Sequence, residues 1–113
     1  MRKIFSTIFL LALFLGAAGC GSKPVDATYR VTGDTSSVHI LAMIENGRIL
    51  EVTGAKLPWE ETITVPRSQE LDISVTNEGD GEFIVEILIN GSVKARNSDK
   101  GKGAIVNLSY SAN

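Results

Sequence analysis

The stretch from Phe83 to Gly91, FIVEILING, decides the fold of this chain. Every odd-numbered position from 83 to 89 is apolar, and this period of two places one side of a β-strand on a core and the other in water. The strand is followed by Asn90-Gly91, a dipeptide that favours the positive φ angles of a two-residue hairpin turn. The stretch therefore predicts a strand and the turn into its neighbour.

The same alternation recurs along most of the chain after residue 27, and no window shows helical spacing. Asn46-Gly47 is a second hairpin-type dipeptide, and residues 77–81 form a longer glycine-containing turn. The predicted strands are 27–33, 37–45, 48–54, 61–66, 70–77, 82–90 and 92–97, with a closing strand at 103–111. We predict an all-β chain, a small antiparallel β-sandwich with an immunoglobulin-like two-sheet architecture. A small barrel is the alternative.

The N-terminal 20 residues have the layout of a bacterial lipoprotein signal. Arg2 and Lys3 precede an apolar run from residue 4 to 15, then Gly16-Ala17-Ala18-Gly19, then Cys20, the single cysteine. A cysteine directly after small residues is similar to a lipobox, which implies cleavage before Cys20 and a diacylglycerol on its sulfur. The competing interpretation is an uncleaved anchor, but the apolar run is shorter than the roughly 20 residues that span a bilayer.

This interpretation divides the chain into three parts. Residues 1–19 are a lipoprotein signal peptide, 20–26 a lipid-anchored tether and 27–113 the β-sandwich domain. Removing Arg2 and Lys3 lowers Lys+Arg from 11 to 9 against 13 Asp+Glu, so the net charge moves from −2 to −4. A mildly acidic domain with scattered basic residues is a poor nucleic-acid binder. We expect a cell-envelope protein, lipid-anchored to a bacterial membrane and facing the periplasm or exterior.

No group of side chains predicts catalysis or a metal site. His39, the one histidine, is expected on the solvent face of its strand without a nucleophile beside it. The oxygen-rich turn at residues 77–82 lacks the spacing of a calcium loop and is expected to be an acidic hairpin turn. Glu60 and Glu61 are adjacent, so in a strand they point to opposite faces and cannot form an acid–base pair. We expect no enzyme, no cofactor and no metal.

The Leu57-Pro58-Trp59 step is the most specific part of a resemblance, over roughly the whole mature domain, to the mycobacterial membrane protein small (MmpS-type) family of transport accessory proteins. The residues that carry the resemblance lie in order along the mature domain: Tyr29–Gly33, Ala55–Trp59, Thr62–Val65, Leu71–Asn77, Ile87–Gly91 and Ala104–Val106. The resemblance implies a small β-sandwich outside the inner membrane that accompanies an RND-type exporter of lipids or siderophores. It departs at Val85 and Leu108, where family members commonly carry two cysteines paired as a disulfide, and in having a lipobox in place of an uncleaved helix.

The expected function is that of a lipid-anchored, non-catalytic accessory or adaptor protein whose partners are the membrane, through its anchor, and a membrane transporter. Leu57, Pro58 and Trp59 are the candidate partner-binding residues, because proline marks an edge or a strand start and a lone tryptophan can be a binding hot spot. Trp59 can equally be a core residue between the sheets. The alternative function is a small module that holds a lipid or another apolar ligand between its sheets.

Overall fold

A computed structural model of the chain describes residues 23–111, which form eight β-strands. The strands are β1 Val25–Gly33, β2 Val38–Met43, β3 Ile49–Ala55, β4 Trp59–Val65, β5 Glu70–Asn77, β6 Glu82–Ile89, β7 Ser92–Lys100 and β8 Ile105–Ser111. All eight predicted strands are present, with ends displaced by up to three residues. β1 begins at Val25, inside the segment predicted as tether, because Val25 pairs with Val65 and its side chain is buried.

The strands form two four-stranded sheets in which every neighbouring pair is antiparallel. Sheet 1 has the order β4-β1-β6-β7, and sheet 2 has the order β3-β2-β5-β8. The predicted small antiparallel β-sandwich with a two-sheet architecture is therefore confirmed. β4 and β7 are the edge strands of sheet 1, and β3 and β8 are those of sheet 2.

The core lies between the sheets and is built from alternate positions of the inner strands. In β1 the odd-numbered residues from Val25 to Val31 are buried, and in β5 the same holds from Leu71 to Val75. Tyr29 is fully buried and joins the two sheets, since its hydroxyl donates to the Met43 carbonyl (2.5 Å) and accepts from the Asp72 N–H (3.1 Å). Burial raises the pKa of Tyr29 to about 12, because a phenolate in the core would lose its hydration.

The two Asn-Gly dipeptides adopt the predicted positive φ angles, but only one makes a two-residue hairpin. Asn90 (φ 49°) and Gly91 (φ 88°) alone separate β6 from β7. Asn46 (φ 63°) and Gly47 (φ 73°) lie in a 3₁₀ turn at Glu45–Gly47, and residues 44–48 separate β2 from β3. The prediction of a two-residue turn there was wrong. The loop is wider because it is closed by a hydrogen bond from the Ile44 N–H to the Arg48 carbonyl.

The strand order contains an internal symmetry. If each strand of sheet 1 is replaced by the strand four positions earlier or later in the chain, the order β4-β1-β6-β7 becomes β8-β5-β2-β3. This is the order of sheet 2 read from its other edge. The Asn-Gly turns follow the same relation, since Asn46 and Asn90 lie 44 positions apart. Each half of the chain contributes one two-stranded piece to each sheet. Because an isolated strand pair is marginally stable in water, the two halves depend on each other for folding.

Val85 and Leu108 lie on different sheets and both face the core. Val85 is fully buried in β6, and Leu108 packs against the core from β8, where it is paired with the buried Ile73. If the family register holds, Val85→Cys with Leu108→Cys is expected to oxidise spontaneously in the envelope, because disulfides form where Cβ atoms approach to about 4 Å. Thiol titration of the purified variant measures this.

The matched control pairs Val85→Cys with Ser109→Cys. Ser109 is exposed and its neighbour Leu108 packs inward, so the control cysteine stands on the opposite face of β8 and is expected to stay reduced. Two persistent free thiols in the first variant would show that the residues are not aligned with the family's disulfide.

Candidate functional site

The Leu57-Pro58-Trp59 corner lies at the start of an edge strand, as the proline predicted. Pro58 is exposed and immediately precedes β4, whose only described partner strand is β1. Leu57 and Trp59 are half-buried and pack against the core. Trp59 therefore combines the two roles that the sequence left open, since part of the indole supports the core and part of it is accessible to a partner.

Strand register places this corner far from the point where β1 begins. Trp59 is opposite Val31, whereas Val65 at the other end of β4 is opposite Val25. Six residues of strand separate Val25 from Val31, a distance of about 20 Å at about 3.3 Å per residue. We call the end of the sandwich that holds Val25 the proximal end, and the end that holds the corner the distal end.

Three connections meet at the distal end around the buried side chain of Asn77. Its Oδ1 accepts from the Thr35 hydroxyl (2.6 Å) and the Gly79 N–H (3.0 Å), and its Nδ2 donates to the carbonyls of Gly81 (2.8 Å) and Gly101 (3.0 Å). The backbone of Asn77 also bonds residues 103 and 104. Because a buried amide is stable only when all its groups are paired, this network fixes the positions of the three connections relative to one another.

Glycine is required where these connections touch. A Cβ on Gly81 would lie 2.5 Å from Asp34 Oδ1 and 2.8 Å from the Thr35 backbone, and a Cβ on Gly33, at φ 135°, would overlap the Glu82 carbonyl oxygen. These approaches are closer than any ordinary van der Waals contact, so a side chain would push the connections apart. The distal end is therefore closely packed although it is made of loops.

The structure corrects the prediction that residues 77–82 form an acidic hairpin turn. β5 and β6 belong to different sheets, so residues 78–81 cross from one sheet to the other and do not join neighbouring strands. Asn77 is a buried strand residue with 2 % exposure, and Asp34, from another connection, accepts the Glu82 N–H. The sequence marked the glycines and the oxygen-rich side chains, but it could not show that Asn77 bonds Thr35, 42 residues before it, and Gly101, 24 residues after it.

His39 lies on the outer face of its strand, and Glu60 and Glu61 lie on opposite faces of β4, as expected. His39 alternates with buried neighbours and its Nε2 lies 2.7 Å from Glu51 Oε2 on β3, a partner that the sequence did not predict. Glu60 points outward and lies 3.7 Å from Arg30 Nη1, whereas Glu61 occupies the inward side of the same edge strand. The two carboxylates therefore lie on opposite faces and cannot act on one substrate atom together.

Large exposed apolar side chains are distributed over both sheets. In the described part of the chain they are Leu41, Ile49, Val93 and Ile105, with exposures between 38 % and 57 %. Leu41 and Ile49 share the outer face of sheet 2. Val93 lies on β7, the edge strand of sheet 1 that is opposite to β4 and the corner. They do not form one continuous patch at the corner, so Trp59 and Leu57 are the apolar groups that the corner itself offers.

Residues 23–111 contain no pocket between the sheets and no group of three or more side chains that could hold a metal ion. No helix within these residues has both the length and the apolar character needed to cross a bilayer. Cys20, the predicted lipidation site, and the predicted signal peptide lie outside the residues that the structure describes. The described site is therefore the corner together with the rigid distal end.

No protein-family model matches the chain, and no curated protein matches it. The class that the geometry defines is a small all-β sandwich with a close-packed core and a loop-built distal end. All three predicted partner-binding residues lie at that end: Leu57, Pro58 and Trp59. Sequence reasoning missed the contribution of Asn77 and Thr35, because no periodic pattern marks a buried polar pair.

Proposed function

We propose that this protein is a lipid-anchored, extracytoplasmic accessory or adaptor protein without catalytic activity, and that it contacts an RND-type membrane transporter through the Leu57-Pro58-Trp59 corner. The observation that carries the proposal is the position of Trp59. It is a half-buried tryptophan at the start of an edge strand, beside an exposed proline, on a rigid end of the domain. Tryptophan is enriched among residues that dominate binding energy, and sheet edges are common recruitment sites.

The anchor and the corner lie at opposite ends of the domain in this proposal. Cys20 precedes Val25 by five residues, so a lipid on Cys20 holds the proximal end close to the membrane. The corner then stands about 20 Å further out along the strands. A transporter that meets the corner does so with its extracytoplasmic part and not with its membrane-spanning helices.

A rigid distal end supports this role in energetic terms. Association loses less free energy to ordering when the contact surface is fixed before the partner arrives. The Asn77 network and the tightly packed glycines hold residues 34–37, 78–81 and 101–104 in place at the same end of the sandwich as the corner. The alternative, an apolar ligand held between the sheets, has no observation in the described residues to favour it, since buried side chains fill the space between the sheets.

The anchor is tested by metabolic labelling. If Cys20 carries acyl chains, cells fed labelled palmitate are expected to label the wild-type protein and not Cys20→Ser, since the thioether requires the sulfur. Each buried CH2 contributes about 0.8 kcal/mol to membrane binding, so the labelled wild-type protein is expected in the membrane fraction. Asn113→Ser, at the far end of the chain, serves as the matched control. Palmitate label on Cys20→Ser would contradict the lipoprotein assignment.

A further inference from the structure

A row of four charged side chains crosses the whole outer face of sheet 1. Glu60 on β4, Arg30 on β1, Glu86 on β6 and Arg96 on β7 are paired in register from one strand to the next. Arg30 lies 2.8 Å from Glu86 and 3.7 Å from Glu60, and Arg96 lies 3.6 Å from Glu86. The signs alternate along the row, so it ends in a carboxylate at the β4 edge and in a guanidinium at the β7 edge.

The two edge strands carry net charges of opposite sign. β4 holds Glu60 and Glu61 and no basic residue, which gives it a net charge of −2. β7 holds Lys94, Arg96 and Lys100 against one acidic residue, Asp99, which gives it +2. The domain therefore presents an acidic edge on one side of sheet 1 and a basic edge on the other.

Hydrogen bonds between β1 and β6 fix the direction of the backbone groups. The Asn90 N–H donates to the Asp26 carbonyl and the Asp34 N–H donates to the Glu82 carbonyl. In an antiparallel pair the N–H and C=O of one residue point to the same side and alternate along the strand. Even-numbered residues of β1, and their partners on β6, are therefore bonded to each other.

The same alternation directs two edge residues outward. Arg30 and Glu86 bond each other, so Glu60 opposite Arg30 turns its backbone N–H and C=O away from β1, and Arg96 opposite Glu86 turns its own away from β6. Both ends of the charged row therefore offer backbone groups that no strand in residues 23–111 pairs. β4 and β7 also run in opposite directions, since three antiparallel pairings separate them.

We propose that this edge pairing joins two copies of the chain: β4 of one copy adds to β7 of another as an antiparallel strand, with Glu60 opposite Arg96. The charged row then continues across the interface with its alternation unbroken. In this register β4 overlaps residues 91–97 of the neighbouring copy. Beyond the overlap, the outward N–H groups of Ser98 and Lys100 already donate to the side chains of Asn97 (2.9 Å) and Asp99 (2.8 Å).

Charge also excludes the symmetric alternatives. Pairing β4 with β4 would bring carboxylates together, and pairing β7 with β7 would bring Lys94 and Arg96 against their counterparts, which like charges on facing strands oppose. Only the pairing of unlike edges is attractive. Such a contact is heterologous, because it joins two different surfaces. In a pair of copies, one copy keeps its acidic edge free and the other keeps its basic edge free, and each free edge can bind a further copy.

The test uses charge exchange in the full chain, purified in detergent micelles and followed by sedimentation over a range of concentrations. Glu60→Lys and Arg96→Glu each set like charges against each other at the interface and are expected to weaken self-association at least about tenfold. The double variant carries both changes. It is expected to associate within about threefold of the wild type, as is an equal mixture of the two single variants.

The double variant shows whether a change in association comes from contacts between copies or from contacts inside one chain. Inside each chain it places a lysine side chain beside Arg30 and a second carboxylate beside Glu86, so any defect within the chain is larger than in either single variant. Restored association therefore arises between copies. A wild-type protein that stays monomeric at all concentrations would overturn the proposal, and so would a double variant that associates as weakly as the single ones. Melting temperatures check that all four proteins are folded, because exposed ion pairs contribute little to stability.

Discussion

Replacing Asn77 with alanine is expected to lower the free energy of unfolding by at least about 3 kcal/mol. The substitution removes four side-chain hydrogen bonds at a site where Asn77 is 2 % exposed. The Thr35 hydroxyl and the Gly79 N–H lose the acceptor that they share, whereas the carbonyls of Gly81 and Gly101 each keep one backbone donor. Each lost bond costs about 0.5–1.5 kcal/mol, and a buried donor left unpaired costs about 1–3 kcal/mol. For a domain of this size, the loss corresponds to a fall in melting temperature of more than about 12 °C.

Urea unfolding and calorimetry measure this effect, with Asn97→Ala as the matched control. Asn97 is an exposed residue of β7 whose described side-chain bond is a local one to the Ser98 N–H, so its replacement should change stability by no more than about 0.5 kcal/mol. Asn77→Asp is expected to be destabilising as well, because a carboxylate cannot donate to the two carbonyls and buries a charge. Equal stability of Asn77→Ala and Asn97→Ala would mean that the distal end is not held by this network.

The second large effect is expected at Trp59. Trp59→Ala should abolish co-purification of the partner transporter while lowering stability by about 2 kcal/mol, less than the about 3–5 kcal/mol typical of a fully buried tryptophan. The smaller loss follows from its half-buried position at the start of an edge strand. Co-purification and thermal melting are measured on the same preparation.

Tyr110→Ala is the control for this substitution. Tyr110 is also a half-buried aromatic residue that packs against the core from an edge strand, but it pairs with Leu71 in sheet 2. Its removal should cost a similar amount of stability and leave the partner bound. If both variants lose the partner equally, general destabilisation explains the loss. If Trp59→Ala does not fold at all, the residue belongs to the core and the corner is not a contact site.

The fold could be predicted because local patterns in the sequence, alternation of apolar residues and turn dipeptides, indicate its strands and turns. Period-two alternation in β1, β5 and β6 follows directly from burial of one face, and Asn90-Gly91 supplies the backbone angles that its hairpin requires. Errors arose where a local signal had more than one structural meaning. Asn46-Gly47 has the predicted angles inside a wider loop, and residues 78–81 look like a hairpin turn but cross between sheets.

The candidate site was predictable only in part. Pro58 before an apolar alternation indicated an edge strand, because a proline lacks the N–H that a central strand must donate. The burial of Trp59 depends on how the two sheets pack, and the partners of Asn77 are distant in sequence: Thr35 lies 42 residues before it and Gly101 24 residues after it. Such contacts depend on the tertiary arrangement, and no periodicity in the sequence marks them. The charged row across sheet 1 likewise needed the strand order and register.

The central claim, that the distal corner of an envelope-anchored domain contacts a membrane transporter, is tested most directly by photo-crosslinking in intact cells. A photoreactive amino acid replaces Glu60, which is exposed and adjacent to Trp59, or Arg67, which lies just beyond the proximal end of β4. The account predicts that the probe at position 60 captures an RND-type transporter through its extracytoplasmic part, that the probe at 67 does not, and that Trp59→Ala abolishes the capture. Crosslinks from position 60 that capture only a second copy of this chain, or no membrane protein at all, would contradict the account.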